Sequence, residues 1–176
     1  MFVESALQKR AYDDDACQMG YNQTISSPSI VAKMTQLIFE QDKMFNVLKF
    51  GTGCGYQTSI LAQLFTRVTT IERIKALHDN SKKLLKSFAY NNVTHIHGDG
   101  FEGCKRNAPY DAIIMTASPN EIPSNLIKQL KPTGRMVLPL NIDGSQKLFR
   151  IKNTKNGLLK KEVDDVLFVP MLEGVN

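Results

Sequence analysis

"VLKFGTGCGYQ", residues 47–57, is the stretch on which the fold turns. An apolar run, Val47-Leu48-Lys49-Phe50, leads into a turn in which Gly51, Gly53 and Gly55 alternate with Thr52 and Cys54. The run reads as a buried strand. The turn reads either as a place where backbone comes close to a ligand or as a turn that only packs a helix on a strand. It is not a P-loop, since no Gly-Lys-Ser/Thr follows, and it is not GxGxxG, since its glycines are two residues apart. Lys49 is the anomaly, a cation in a strand that otherwise reads as core.

Outward from this point the chain alternates strand and helix. Strands are predicted at 46–51, at "VTTIE" (68–72), at "VTHIHGD" (93–99), at "YDAIIMTA" (110–117) and at "RMVLPL" (135–140). Helices are predicted at about 57–65, with Ile60, Leu61 and Leu64 on the apolar side, at 73–88 and at about 121–130. Upstream, "SIVAKMTQLIFE" (29–40) sets Ile30, Met34 and Ile38 four residues apart, a helix with Ser26 or Ser27 as cap and Pro28 in its first turn. Apolar centres such as "AIIM" predict burial on both faces, hence a mostly parallel, helix-covered α/β sheet. "QKLFRIKN" and "LLKKEVDDVLFVPM" are strand-like and joined at Asn156-Gly157, so the sheet is expected to end in antiparallel strands.

The 176 residues suffice for one domain with a sizeable core, and a single domain over 1–176 is expected. Hydrophobic (42%) and charged (22%) fractions are ordinary for a soluble globular protein. No apolar run approaches the roughly 18 residues of a membrane span. Glu4, Lys9 and Arg10 interrupt any signal peptide. These features predict a cytoplasmic protein without a membrane partner. The net charge is +5, but the lysines are dispersed, so no nucleic-acid partner is expected. Cys17, Cys54 and Cys104 are odd in number and form no CxxC, which predicts free thiols. His95 and His97 share a strand face but lack a third ligand and read as structural, with no metal expected. Asp13-Asp14-Asp15 reads as a solvated run.

In open α/β sheets, ligands sit at the carboxyl ends of strands. The loop from Gly51 through Gly53 to Gly55 follows the first strand of the series. Glu72 closes the second, where a carboxylate can accept both hydroxyls of a ribose. Asp99, between Gly98 and Gly100, closes the third and is positioned to accept from an adenine amino group, with Gly100 and Phe101 bordering the base. Each acid alone reads as a surface or capping residue; together they predict a nucleoside. A ligand with ribose and adenine that needs no phosphate cradle is S-adenosylmethionine.

The chain resembles the protein-L-isoaspartate O-methyltransferases, within the Rossmann-like methyltransferases, from about Phe2 to Gly174. The resemblance is carried by "AYDDDACQMGYNQTISSPSIVAKMTQL", "GTGCGYQTSILA", "IERI", "HGDGFEG", "APYDAIIMTASPNEIPSNLIKQLKPTGRMVLP" and "FVPMLEG". "QTISSP" and "YDAIIMTA" are its specific parts. It implies methyl transfer from S-adenosylmethionine to the α-carboxylate of L-isoaspartyl residues, a protein-repair reaction. It matches Ser26 to the active-site serine, puts Thr24 and Ile25 in the site's lining, and matches Gly51, Glu72, Gly100 and Phe101 to cofactor contacts, with Asp99 beside them. Val169 and Pro170, read as part of the last strand, are candidates for a wall of the peptide cleft. The implied partners are isoaspartyl peptides and proteins, and a monomer is expected.

Two departures from the family pattern stand out. Lys49 occupies a position usually acidic in the family, and the chain lacks a further N-terminal helical segment usual there. The alternative to an active enzyme is a degenerate relative that keeps the fold with weak cofactor or peptide binding. A methyltransferase for another carboxylate or a small molecule is a third reading.

Overall fold

The computed structural model describes residues 1–39 and 45–176. A 3-10 helix, Ser5–Arg10, precedes a two-strand hairpin of β1 (Cys17–Gln18) and β2 (Thr24–Ile25). Then come α1 (Pro28–Ile38), β3 (Asn46–Phe50), α2 (Tyr56–Leu64), β4 (Arg67–Glu72), α3 (Lys75–Ser87) and β5 (Val93–His97). After a cross-over follow β6 (Tyr110–Met115), the short α4 (Ser124–Ile127), β7 (Leu130–Ile142), β8 (Ser145–Thr154) and β9 (Gly157–Asp165). The main sheet has the order β5-β4-β3-β6-β7-β8-β9, parallel through β7 and antiparallel beyond. The chain winds outward from β3 to β5, then returns to place β6 on the other side of β3. The β3/β6 boundary is therefore a topological switch point, where α/β sheets open a crevice at their carboxyl ends.

The expected architecture is present: a mostly parallel sheet, helix-covered and finished by antiparallel strands. Period-2 alternation splits the core into two layers. Leu48, Phe50, Ile113 and Met115 face one side, with Leu126 and Leu130. Val47, Ala112, Ile114 and Val137 face the other, against Met34 and Ile38 of α1 and Leu61 of α2.

Several boundaries differ from the expectations. The helix read at 29–40 is capped by Ser27, whose Oγ accepts from Ile30 N at 3.5 Å, with Pro28 in its first turn; Glu40, at its predicted end, lies outside the described residues. The helix read at 121–130 shrinks to one turn, Ser124–Ile127. The strand read at 93–99 ends at His97, two residues before Asp99. The last hairpin turns on Lys155-Asn156, because Thr154 pairs with Gly157 and Gly157 (φ +106°) takes the left-handed position after the turn. The final strand stops at Asp165, so Val169 and Pro170 lie beyond it, in a segment that bridges Pro170 to Ser118.

Candidate active site

The glycine turn leaves β3 with three positive φ angles: Gly51 at +72°, Gly53 at +56° and Gly55 at +92°. A Cβ on Gly51 would lie 2.8 Å from Thr116 Oγ1, so a side chain is excluded there by space as well as by backbone angle. The turn thereby seats against the residue that follows β6. Glu72, the last residue of β4, fixes it from the other side. Its Oε2 accepts from Gly53 N at 2.9 Å and its Oε1 from Ile74 N at 3.0 Å. One buried carboxylate thus ties the turn to the start of α3. A carboxylate has about four acceptor positions, so two remain for a ligand.

A cavity opens at these strand ends. Thr24, Gly51, Gly53, Glu72, Gly98 and Gly100 are among its lining residues, and Val169 and Pro170 close it on the far side. Members of both predicted groups, for cofactor and for peptide, therefore border one cavity, while Ile25, Asp99 and Phe101 do not line it among the described residues. Asp99 differs from its predicted role. Its Oδ1 accepts from Phe101 N at 2.8 Å, capping a 3-10 turn, and its Oδ2 accepts from Gly174 N at 2.7 Å. Its acceptor capacity goes first to shaping the backbone. Neither Asp99 nor Phe101 belongs to the cavity lining among the described residues.

The tail from Val169 to Asn176 crosses the mouth of this cavity. Ser118 N donates to Val169 O (2.8 Å) and Met171 N to Ser118 O (2.9 Å). At the other end Asn176 N donates to Arg73 O (2.9 Å) and Lys75 N to Asn176 O (2.7 Å). His97 Nε2 lies 3.1 Å from Arg73 O and 3.3 Å from Asn176 O; both partners are acceptors, so this nitrogen carries the proton. His97 is structural in this sense. With His95 it packs around His78, ring centroids 5.8 and 6.3 Å away. Burial, with the neighbouring His78 and Lys82, pulls the His95 pKa down to about 4.

Ser26 sits where the β1–β2 hairpin runs into α1. Ser27 takes the cap, and among the described residues nothing hydrogen-bonds the Ser26 hydroxyl. The Asp run also proves structural. Asp14 Oδ1 accepts from Ser29 N at 2.9 Å, a second support for the start of α1, and this bond lowers its pKa. Asp13 and Asp15 both pair with Arg10 at 3.2 Å.

A small pocket adjoins the main cavity and shares Met19, Thr24, Gly51, Gly53 and Thr116 with it. Ile25, Ser26, Lys49 and Gln57 are among its other lining residues. Lys49 points inward at 2% exposure, on the sheet face covered by α1 and α2. Its Nζ donates to Phe50 O (3.2 Å), to Gly51 O, and to Thr116 Oγ1 (3.1 Å). Gln57 was read only as the start of a helix. It is 5% exposed, and neither its Oε1 nor its Nε2 has a hydrogen-bond partner. A buried amide left unpaired beside a cavity is a candidate ligand contact. Its position one residue after Tyr56, in the first turn after the glycine loop, was the signal available in the sequence.

Among the described residues no helix is long and apolar enough to cross a membrane. The family model for protein-L-isoaspartate(D-aspartate) O-methyltransferase matches residues 1–176. The chain is 45% identical over 174 residues to the protein-L-isoaspartate O-methyltransferase of Pseudomonas aeruginosa, covering 99% of this chain and 82% of the relative. It is 46% identical over 173 residues to that of Aliivibrio fischeri, covering 98% and 82%. A solved protein-L-isoaspartate O-methyltransferase superposes with a TM-score of 0.87 at 25% identity; the match covers 96% of this chain and 56% of that one. A Plasmodium falciparum structure solved in complex with S-adenosyl-L-homocysteine superposes with a TM-score of 0.80 at 24% identity, over 97% of this chain and 84% of that one, a likeness of fold. With the glycine turn, the carboxylate at the end of β4 and the serine before α1 gathered around connected cavities, and a family match spanning its length, the chain belongs to the protein-L-isoaspartate(D-aspartate) O-methyltransferase family.

Proposed function

We propose that this chain transfers the methyl group of S-adenosylmethionine to the α-carboxylate of L-isoaspartyl residues in peptides and damaged proteins, working as one methyltransferase unit. The observation that carries this reading is the Ser26 hydroxyl, without a hydrogen-bond partner among the described residues, in the lining of the pocket that adjoins the glycine-turn cavity. S-adenosylmethionine, when bound, supplies a methyl already activated on a sulfonium. The acceptor carboxylate is ionised at pH 7, so no general base is required of the protein.

The chain's own task is to hold and aim. The cavity walls suit a nucleoside. Backbone faces it at Gly51, Gly53, Gly98 and Gly100, and the Glu72 carboxylate borders it with acceptor positions to spare for two ribose hydroxyls. Thr24 lines both the cavity and the adjoining pocket, and Ile25 lines the pocket. Ser26 donates its hydroxyl to the acceptor carboxylate and fixes which oxygen faces the cofactor. Val169 and Pro170 offer side-chain surface to the peptide, since the Val169 carbonyl is already taken by Ser118. Such positioning is worth up to about 7–11 kcal/mol of barrier when the reacting atoms are held in line.

The test is transfer kinetics with Ser26→Ala. Loss of a hydrogen bond to a charged group costs about 1.5–3 kcal/mol, so turnover on an isoaspartyl peptide should fall about 10- to 100-fold. Binding of S-adenosylhomocysteine should change less than about twofold. Unchanged turnover per folded molecule would remove Ser26 from the mechanism.

A further inference from the structure

Behind the cavity wall stands a buried positive charge whose consequence depends on which ligand is bound. Lys49 has no outward route. Its strand is central, with β4 and β6 on either side, and its side chain enters the layer beneath α1 and α2. There Phe50 O, Gly51 O and Thr116 Oγ1 take its three ammonium protons. Gly51 and Thr116 also line the main cavity, so the charge stands directly behind that wall. It shares the small pocket with Ser26, at the end assigned above to methyl transfer.

We propose that Lys49 is a specificity-determining residue that makes the site discriminate by charge, disfavouring the sulfonium cofactor relative to its neutral thioether product. The inference rests on the cofactor reading given above. Both ligands carry the same amino-acid group and the same nucleoside; they differ by one methyl and one positive charge. An ammonium held near the reacting end therefore acts on their difference. In low-dielectric surroundings such a charge is poorly screened. Among the described residues two titratable groups act on Lys49: Glu72 at the end of β4 attracts its charge, and the Cys54 thiol in the glycine turn is kept neutral because burial raises its pKa. Glu72 already accepts two backbone N–H bonds, which divides its effect. Burial pulls the Lys49 pKa down to about 8. Discrimination should then be full near pH 6.5 and fade as the amine loses its proton above pH 8.

The experiment measures affinity for S-adenosylmethionine and for S-adenosylhomocysteine at pH 6.5 and pH 9, using wild type, Lys49→Met and Lys49→Glu. Wild type should prefer the homocysteine form by at least about tenfold at pH 6.5, which is about 1.4 kcal/mol. That ratio should fall severalfold at pH 9. Lys49→Met should lose the preference at both pH values, and Lys49→Glu should reverse it. The wild-type pH comparison stands even where a variant fails to fold. A preference that is the same in wild type at both pH values and in Lys49→Met would overturn the role of Lys49 while leaving the cofactor site intact. No binding of either ligand to wild type would overturn the cofactor reading, and this inference with it.

Discussion

Lys49 is also where a single residue weighs most on stability. A fully buried lysine held as a cation loses solvation that hydrogen bonds only partly restore. Its pKa, lowered to about 8, means that the folded state binds the proton less well than the unfolded chain does. The sign follows directly. Below pH 8 both states are charged and the penalty is full. Between about 8 and 10.5 the unfolded chain holds more protons, so stability rises with pH across that window. Lys49→Met should therefore stabilise the protein at pH 7, by about 1–3 kcal/mol from the size of the shift. Thr116 Oγ1, 2.8 Å from Phe50 O and 3.2 Å from Gly51 O, remains with its one proton as a donor to one of the two carbonyls that Lys49 leaves. Thermal unfolding of the two proteins from pH 6.5 to 10 checks this: the gap should close above pH 8, and a gap that widens would contradict it. That Lys49 stands in a buried strand was legible in the apolar run around it, while the direction of its side chain was not. Two of its partners, Phe50 and Gly51, follow it in the chain, but the third was not legible, because Thr116, just after β6, is 67 residues away.

Among elements, the least legible were those without a period. The β1–β2 hairpin has two residues per strand and no alternation to read, yet it delivers Thr24, Ile25 and Ser26 to the site. Helix α2 was legible as a helix but not in its buried face. Leu61 is fully buried as expected, while Leu64 is 38% exposed and Gln57, Thr58 and Ser59 are buried. The cause is local. The first turn of α2 sits behind the glycine loop, where Thr52 and Thr58 meet Thr70 at 2.6 and 3.5 Å, so this end of the helix packs on hydroxyls. The C-terminal tail shows the same limit: Asp99 reads as a strand-end acid, but its partner Gly174 lies 75 residues away. Asp99→Ala should release both the 3-10 turn and the tail. The cost should be about 1–3 kcal/mol, a lost cap and a lost charge-assisted bond. Hydrogen exchange is the readout, with faster exchange at the Phe101 and Gly174 amides and little change in β3 and β6. An unaltered Gly174 amide would mean that the tail is held by its ends alone.

At the scale of the whole molecule, the order β5-β4-β3-β6-β7-β8-β9 brings the glycine turn, Glu72, Thr116 and the tail to one edge of the sheet. The strand–helix alternation made that edge legible from the chain alone, because parallel crossovers place every strand's carboxyl end on the same side. It could not reveal that Val169 and Pro170 would border the same cavity as the glycine turn and Glu72, since they arrive there through coil after the last strand. The proposed joining of one methyl to one carboxylate rests on this cavity and on Ser26 in the pocket that adjoins it. The most direct measurement pairs two peptides of identical composition, one with an L-isoaspartyl residue and one with the ordinary aspartyl residue, each incubated with the protein and labelled S-adenosylmethionine. The account predicts a base-labile methyl ester on the isoaspartyl peptide and at most background on its isomer. Equal labelling of the two, or none on either at saturating cofactor, would contradict it.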